Sequence, residues 1–333
     1  MATVTVDAPT PRTADASSAQ HHPLQSSLSR GRRTRNRLAN AWMILSLAIA
    51  AVPLLAVLVV LVVKGAGLIA STDWWTESIP SNVAANAFGT QEAQDAFGNV
   101  GTVAKTEEVV YGMQPAIVGT LLTTGLAALL SIPLGIAAAV YLNEYGGKNR
   151  SASTIRFFTD VMTGVPSVVM GIFVYTVWVL NFEQSGRSGL AGGLALACLM
   201  LPVVVRSAEE MLRLVPNSLR EASAALGTPK WKTTTRVVLP AAMPGITSGA
   251  MLAIARAAGE TAPILFTVGV VSATNFSLFG QNTTLSAQIF SNATQPGGES
   301  IAWGAALTLI VVVMAFTLAA RFVSSKFAVR IDQ

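Results

Sequence analysis

Two opposite charges, Arg256 and Glu260, lie four residues apart in an otherwise apolar stretch of the chain. That separation places both side chains on one face of a helix. A charge at the centre of a membrane helix costs about 2.5–3.5 kcal/mol even on lenient insertion scales. The pair is therefore either an internal ion pair that fixes helix packing or the polar lining of a path for a hydrophilic solute. Gly259 and Pro263 flank the glutamate and predict an irregular backbone whose free amides face an anion.

A second group of charges stands where another apolar run ends. Arg206 is followed by Glu209 and Glu210, three and four residues on. The arginine is either a boundary residue of a membrane span or part of the same solute path. Asp160 lies about one turn inside the preceding apolar run, where a carboxylate needs a cationic neighbour or water. We predict a contact between Asp160 and Arg206, because both fall at the same depth.

The 217–240 segment, NSLREASAALGTPKWKTTTRVVLP, is polar and basic and separates two apolar runs. Ser218 and Glu221 have the spacing of a capping box, which predicts the start of a helix. Gly227 suits the left-handed turn that ends such a helix, and Pro229 predicts the start of a second short one. A helix, a glycine turn and a second helix suit docking to another protein better than catalysis.

The composition predicts the setting of these residues. The chain is 52% hydrophobic and only 12% charged, whereas soluble domains carry about 25% charged residues. Long apolar runs recur, which indicates a polytopic membrane protein. The net charge of +5 does not favour nucleic-acid binding, because the basic residues lie at the ends of apolar runs. The single cysteine, Cys198, excludes a disulfide framework.

The predicted fold class is an all-α polytopic membrane protein with six transmembrane helices. The spans are predicted at about 41–63, 116–142, 157–182, 190–206, 242–271 and 302–323. The predicted divisions are a disordered cytoplasmic tail at 1–40, an external loop at 64–115, a five-helix core at 116–323 that contains a loop at 207–240, and a cytoplasmic tail at 324–333. Small residues such as Gly192, Gly193, Gly245 and Gly249 predict close approach between helices.

Lysine and arginine decide the orientation. Eighteen of the 22 lie in the two tails, in the 143–156 loop, in the 206–240 region or, in the case of Arg321, at the end of the last span beside the C-terminal tail. The positive-inside rule then places both termini and the 217–240 segment in the cytoplasm.

Several chemistries are excluded by missing motifs. No G-x-x-x-x-G-K-[ST] sequence is present, so ATP binding of the P-loop kind is not expected in this chain. No nucleophile–base constellation or metal motif is found either, so we predict no catalytic or metal-binding residues. A self-contained secondary carrier or anion channel, with Asp160 and Glu260 as proton-coupling groups, stays an alternative. No inverted repeat of the kind typical of such carriers is visible.

One set of residues within the 217–240 segment resembles the EAA signature of ABC importer permeases, E-A-A-x3-G-x9-I-x-L-P. Its members are Glu221, Ala222, Ser223, Gly227, Val237, Leu239 and Pro240. Ser223 replaces the third-position alanine and Val237 the isoleucine, while every spacing matches. The resemblance implies a type I ABC importer permease architecture. In it, Glu221, Ala222, Ser223, Gly227, Leu239 and Pro240 would belong to cytoplasmic coupling helices that seat in an ATPase subunit.

Within that family the chain is most similar to PstA-type permeases of phosphate-specific importers. The similarity is carried by residues 116–145, 156–176, 201–232 and 253–267, most distinctively by GETAPILFT. It implies inorganic phosphate as solute, although another oxyanion such as phosphonate or sulfate stays open. It also implies Arg206 and Glu209 as residues of the transport region, beside the pathway candidates Asp160, Arg256 and Glu260.

The resemblance further implies a set of partners in and around a bacterial plasma membrane. They are a second permease of the PstC type, two ATPase subunits of the PstB type that bind ATP and Mg²⁺, and an external phosphate-binding protein of the PstS type. Membrane lipid surrounds the spans, and no nucleic-acid partner or cofactor is expected for this chain itself.

Overall fold

The computed structural model describes residues 30–79, 111–147, 149–182, 186–295 and 297–327. The predicted tails outside 30–327 and the middle of the predicted 64–115 loop lie outside these described residues. The chain divides into two units, Met1–Val57 and Leu58–Gln333. All the sites considered below lie in the second unit.

Every regular element within the described ranges is helical. In chain order the helices are α1 (Arg30–Ile69), α2 (Asp73–Thr76), α3 (Gln114–Val140), α4 (Arg150–Gly164), α5 (Ser167–Val174), α6 (Gly189–Leu214), α7 (Asn217–Ala225), α8 (Lys230–Thr233), α9 (Leu239–Ala258), α10 (Ala262–Thr267), α11 (Leu285–Ala293) and α12 (Glu299–Phe327). The π-helical segments Tyr141–Tyr145 and Tyr175–Val179 extend α3 and α5, and Thr234–Val238 joins α8 to α9.

Five helices of the described chain are long and apolar enough to cross a membrane, and a bent pair raises the number to six. Two helices run beyond the predicted spans. The first begins at Arg30 rather than Ala41, because the arginine, leucine and alanine residues before the apolar run favour helix. The fourth span, α6, continues past Arg206 to Leu214, since oppositely charged residues one turn apart support the extension.

The third predicted span is not a straight helix. Helices α4 and α5, the latter with its π-helical extension, meet at a bend of 106°. The break falls at Val165, whose ψ of 129° is extended, and at Pro166. A residue that precedes proline is disfavoured in the helical region, and proline itself suits the start of the next helix. The span predicted at 157–182 is therefore broken into two helices, a sharper change of direction than the tolerated kink that its interior proline, Pro166, predicts.

The core is formed chiefly by α3 packed along α6. Helix α9 also packs against α6. Leu196, Met200 and Val204 of α6 are buried there. Small residues permit the close approach, as predicted. A Cβ on Gly192 would lie 2.2 Å from Val268, and one on Gly249 would lie 2.4 Å from the Ser207 hydroxyl. These short distances leave no room for a larger side chain.

The 217–240 segment differs from its predicted form at both ends. Helix α7 begins at Asn217 after Pro216 with no side-chain cap, so the predicted Ser218–Glu221 capping box is wrong. The fixed φ of Pro216 (−59°) supplies the start instead. Gly227 has the predicted left-handed conformation, with φ of +72°, which costs other residues roughly 1–2 kcal/mol.

The second helix of this segment is not short. Helix α8 runs through a π-helical segment into α9, which gives one continuous helix, Lys230–Ala258. The continuation is favoured because Val238 is completely buried in the core beside α6, so the chain gains apolar burial by staying helical. Only the first part of the 217–240 segment is therefore a hairpin. It runs from α7 through the Gly227 turn to α8 and is called the hairpin below.

The fifth predicted span is interrupted as the glycine and proline residues predicted. Helix α9 ends at Ala258, residues 259–261 are non-helical, and α10 begins at Ala262. Pro263 stands in the first turn of α10, where its missing N–H removes no helical hydrogen bond. Residues 242–271 thus form a broken helix and not one continuous span.

Candidate functional site

Six charged side chains of α4 and α6 meet in one place, named here the charged cluster. Its members are Arg156, Asp160, Arg206, Glu209, Glu210 and Arg213. Arg206 donates a hydrogen bond from Nη1 to Oδ1 of Asp160, which is the contact predicted from sequence. Its Nε also lies 3.6 Å from Glu210 Oε1. Both partners of the interhelical pair are exposed, so it contributes little to folding stability.

Glu209 is the buried member of the charged cluster, with only 9% of its side chain exposed. Arg156 Nε donates to Glu209 Oε1 at 3.0 Å, and Arg213 Nη2 donates to the same oxygen at 2.6 Å. Arg156 also reaches the Leu142 carbonyl at 2.8 Å, which ties α4 to the end of α3. A buried carboxylate is tolerated only with such partners. Sequence reasoning missed Arg156, although it stands four residues before Asp160 on the same helical face.

The charged cluster lines a cavity of about 120 Å³. Three guanidinium groups and three carboxylates face it, so the charges balance. Every arginine here already has an acidic partner, so an anion must compete with a carboxylate for the guanidinium groups. The arrangement therefore suits weak, exchangeable anion contact better than permanent binding.

Arg256 and Glu260 lie at the break between α9 and α10. The two side chains approach to 3.5 Å between Arg256 Nε and Glu260 Oε1. Glu260 lies outside the helix, in contrast to the prediction that both stand on one continuous helical face. The Arg256 side chain is 70% exposed in a helix apolar enough to span a membrane, and that of Glu260 is 20% exposed. Such an exposed charge needs water or a second protein chain around it.

Residues 283–286, which precede α11 and form its first turn, contact the break between α9 and α10 and also helix α3. Ser286 donates from its hydroxyl to the Glu260 carbonyl at 3.0 Å. The Leu285 amide donates to the Thr120 hydroxyl of α3 at 2.9 Å. A Cβ on Gly119 would lie 1.8 Å from the Thr283 carbonyl, so α3 and this segment are in direct backbone contact. The carbonyl of Glu260 is thus fixed while its carboxylate stays free to face Arg256.

Sequence reasoning also missed a group of buried polar side chains around this segment. They are Thr120, Thr123, Thr124, Asn282, Thr283, Thr284, Ser286, Gln288 and Asn292. Among the described residues, Thr124 Oγ1 and Ser131 Oγ of α3 are buried without a hydrogen-bond partner. The sequence of residues 275–300 lacks lysine and arginine, which predicts an external loop, and no periodic pattern indicates that its polar side chains are buried.

The exposed surface of the hairpin is formed by α7 and the turn after it. Glu221 and Ala222 are exposed, whereas Ser223 is buried and contacts the Thr228 and Thr233 hydroxyls at 2.6 and 2.8 Å. Two apolar side chains also face solvent, Leu226 at 84% and Trp231 at 61% exposed. Exposed apolar residues beside a charge are typical of a protein-docking surface.

The remaining predicted coupling residues are part of a helix rather than of the hairpin. Leu239 and Pro240 stand at the start of α9, and Leu239 packs against the core cluster that includes Val238. Among the described residues, no ion pair or hydrogen bond joins the charged cluster to Arg256 or Glu260. The structure therefore places the predicted site residues in three separate groups.

Broken membrane helices that carry internal charges are typical of the membrane subunit of a transporter. The family model of the binding-protein-dependent transport system inner membrane component matches residues 131–329, and the chain belongs to this family. It is a multi-pass membrane protein, a permease component of a transport system.

Similar proteins carry more specific names. "Phosphate transport system permease protein PstA 1" of Mycobacterium tuberculosis (strain H37Rv) is 43% identical over 303 residues, which cover 89% of this chain and 90% of that protein. "Phosphate transport system permease protein PstA" of Yersinia pestis is 43% identical over 217 residues, covering 65% of this chain and 73% of that protein.

Solved structures confirm the fold class. The inward-facing MetNI methionine ABC transporter gives a TM-score of 0.54 at 18% identity, over 64% of this chain and 94% of that chain. A bacterial ABC transporter that imports the acidic polysaccharide alginate gives 0.52 at 16% identity, over 88% of this chain and 99% of that chain. The chain therefore has the type I ABC importer permease fold predicted from its sequence.

Exchange of the two charges that join α4 to α6 tests whether their contact matters for transport. Arg206→Glu is expected to lower substrate uptake by the assembled importer about tenfold, because two carboxylates then oppose each other across the interface. Asp160→Arg in the same chain should restore much of that uptake. Rescue by Glu210→Arg instead would assign the functional pair to α6 alone, and absence of any rescue would contradict a role for the Asp160–Arg206 contact.

Proposed function

We propose that this chain is the permease subunit that forms half of the membrane pathway for inorganic phosphate in an ATP-driven importer. The observation that carries the proposal is the 43% identity over 89% of the chain to proteins named as phosphate transport system permeases. Inorganic phosphate carries one to two negative charges at neutral pH, so its passage through a region of low dielectric needs cations or donors that bind it weakly.

The internal charges support an anion as the solute. Arg256 is exposed within a membrane helix and has one acidic partner at 3.5 Å, which leaves its guanidinium accessible. The negative charge of Glu260 weakens the attraction of Arg256 for an anion, so that the anion can leave again. The pathway in this proposal includes Arg206, Glu209 and Asp160 of the charged cluster, where each arginine can exchange a carboxylate for a passing anion.

The exposed surface of the hairpin supports the part of the proposal that places ATP hydrolysis in another subunit. Leu226 and Trp231 are exposed apolar side chains on the same hairpin as the exposed Glu221, and a self-contained carrier has no use for such a docking surface. In the proposal, two ATPase subunits bind ATP and Mg²⁺ and seat this hairpin. A second permease completes the pathway, and an external binding protein delivers phosphate. Both termini and the hairpin face the cytoplasm of a bacterium, as the positive-inside rule predicts.

The proposal is tested by uptake of radiolabelled phosphate into vesicles that hold the chain with its neighbouring ATPase and permease subunits and its binding protein. Uptake should require ATP and should resist a large excess of sulfate or phosphonate. Competition by either oxyanion would move the assignment to another substrate. Uptake that persists without the ATPase subunit would favour a self-contained carrier, and absence of any phosphate uptake would overturn the proposal.

A further inference from the structure

Arg220 of α7 joins the hairpin to the membrane core through several hydrogen bonds. Its Nη2 donates to Glu144 Oε1 at 2.8 Å, and its Nε lies 3.2 and 3.4 Å from the two carboxylate oxygens. Glu144 stands in the π-helical segment that ends α3. The glutamate side chain is 7% exposed and that of the arginine 21%, so the pair is largely withdrawn from solvent.

The same guanidinium also donates to carbonyl groups at the C-terminal end of α6. Arg220 Nη2 donates to the Leu212 carbonyl at 3.0 Å, and Nη1 donates to the Val215 carbonyl at 2.7 Å. The last carbonyls of a helix have no partner within the helix, and a cation there is favoured by the helix dipole. A third acceptor, Asn217 Oδ1, lies 3.1 Å from Nη1. One side chain thus joins the hairpin to the ends of both helices that form the core.

The neighbouring residue points the other way. Glu221 is exposed on α7, while Arg220 is turned inward. The remaining polar contacts of the hairpin are mostly internal, such as those of Ser223 with Thr228 and Thr233. Lys230 adds a weaker contact, with Nζ 5.1 Å from the Tyr145 ring in the same π-helical segment as Glu144. Glu221 therefore faces solvent, whereas the adjacent Arg220 contacts the ends of α3 and α6.

We propose that Arg220 and Glu144 are a positioning pair that transmits movement of the hairpin to α3 and α6. The inference rests on the proposed function, since it concerns how an ATPase-driven movement reaches the pathway. The planar guanidinium holds the carboxylate and the two helix-end carbonyls at the same time, which a lysine cannot do. The hairpin and the inner ends of α3 and α6 then move as one body, and loss of the pair lets the hairpin move alone.

The expected result is uncoupling rather than loss of the complex. In the assembled importer, Arg220→Lys and Glu144→Gln should leave ATP hydrolysis near the wild-type rate. Phosphate taken up per ATP hydrolysed should fall roughly tenfold, the size of an ordinary coupling between two sites. The double variant should be no worse than either single variant, because both remove the same connection. Hydrolysis and uptake are measured on the same purified vesicles, after co-purification has established the amount of ATPase subunit bound.

Arg150→Gln is the matched control, because Arg150 is an exposed arginine at the start of α4 and outside every site described above. It should leave the ratio of uptake to hydrolysis unchanged. An unchanged ratio in the Arg220 and Glu144 variants would overturn the inference, and so would loss of assembly in all of them, which would make the pair an element of assembly. Failure of the wild-type complex to take up phosphate would instead overturn the proposed function.

Discussion

Arg256→Ala is expected to reduce phosphate uptake by roughly 100-fold or more while the permease still assembles with its partners. Loss of one preorganised charge that faces an anion commonly has an effect of this size. The guanidinium is exposed at the break between α9 and α10, so its removal leaves no cavity in the core. Uptake of radiolabelled phosphate and co-purification of the ATPase subunit are measured on the same membranes.

A double variant separates the pathway from a purely structural ion pair. If the pair only fixes packing, Arg256→Ala combined with Glu260→Ala removes both charges and should restore uptake, because no unpaired charge is left. If the arginine contacts the anion, the double variant stays inactive. Arg321→Ala, which removes an exposed arginine from α12, is the control and should keep wild-type uptake. Normal uptake by Arg256→Ala would return the pair to a structural role.

Glu221→Arg is expected to release the ATPase subunit. The glutamate is exposed on α7, in the hairpin that also exposes Leu226 and Trp231 and is proposed to enter the ATPase. Reversal of a charge at an interface costs about 2 kcal/mol or more, which corresponds to roughly 30-fold weaker association. Co-purification of the ATPase subunit with the permease measures the effect, and uptake should fall with it.

Two further variants test the predicted effect of Glu221→Arg. One makes a smaller change at the same position, and the other is a control outside the hairpin. Glu221→Gln removes the charge without reversing it and should weaken association less. Asn149→Arg adds a positive charge at an exposed position before α4, outside the hairpin, and should leave association unchanged. Full association by Glu221→Arg would mean that the ATPase contacts another surface of the chain.

The helical fold was largely predictable because apolar length and charge placement carry most of the information. The spans, the break near Glu260 and the left-handed Gly227 follow from hydropathy, from glycine and from proline. The bend between α4 and α5 is sharper than the kink that Pro166 predicts. Membrane helices often tolerate proline, and hydropathy alone does not distinguish a kink from a sharp turn.

The site was predictable where charges interrupt apolar runs and not where tertiary contacts create it. The Asp160–Arg206 contact follows from equal depth along two spans. Arg156 and Glu144 gain their importance only from partners about fifty and seventy-six residues away along the chain, and one sequence offers no signal for such pairs. The capping box at Ser218 failed for a local reason, since Pro216 starts the helix two residues earlier.

The elbow between α4 and α5 also bears on biogenesis. The apolar part after the bend, Ser167–Val179, is shorter than the about 20 residues that a membrane-crossing helix needs. Helix α4 carries Arg150, Arg156 and Asp160 and is not a favourable substrate for lateral release from the translocon. We therefore expect this region to be integrated together with α3 and α6, because the Leu142 carbonyl after α3 and the Glu209 carboxylate of α6 accept hydrogen bonds from Arg156. Membrane integration of residues 150–179 is then expected to depend on the neighbouring hydrophobic segments.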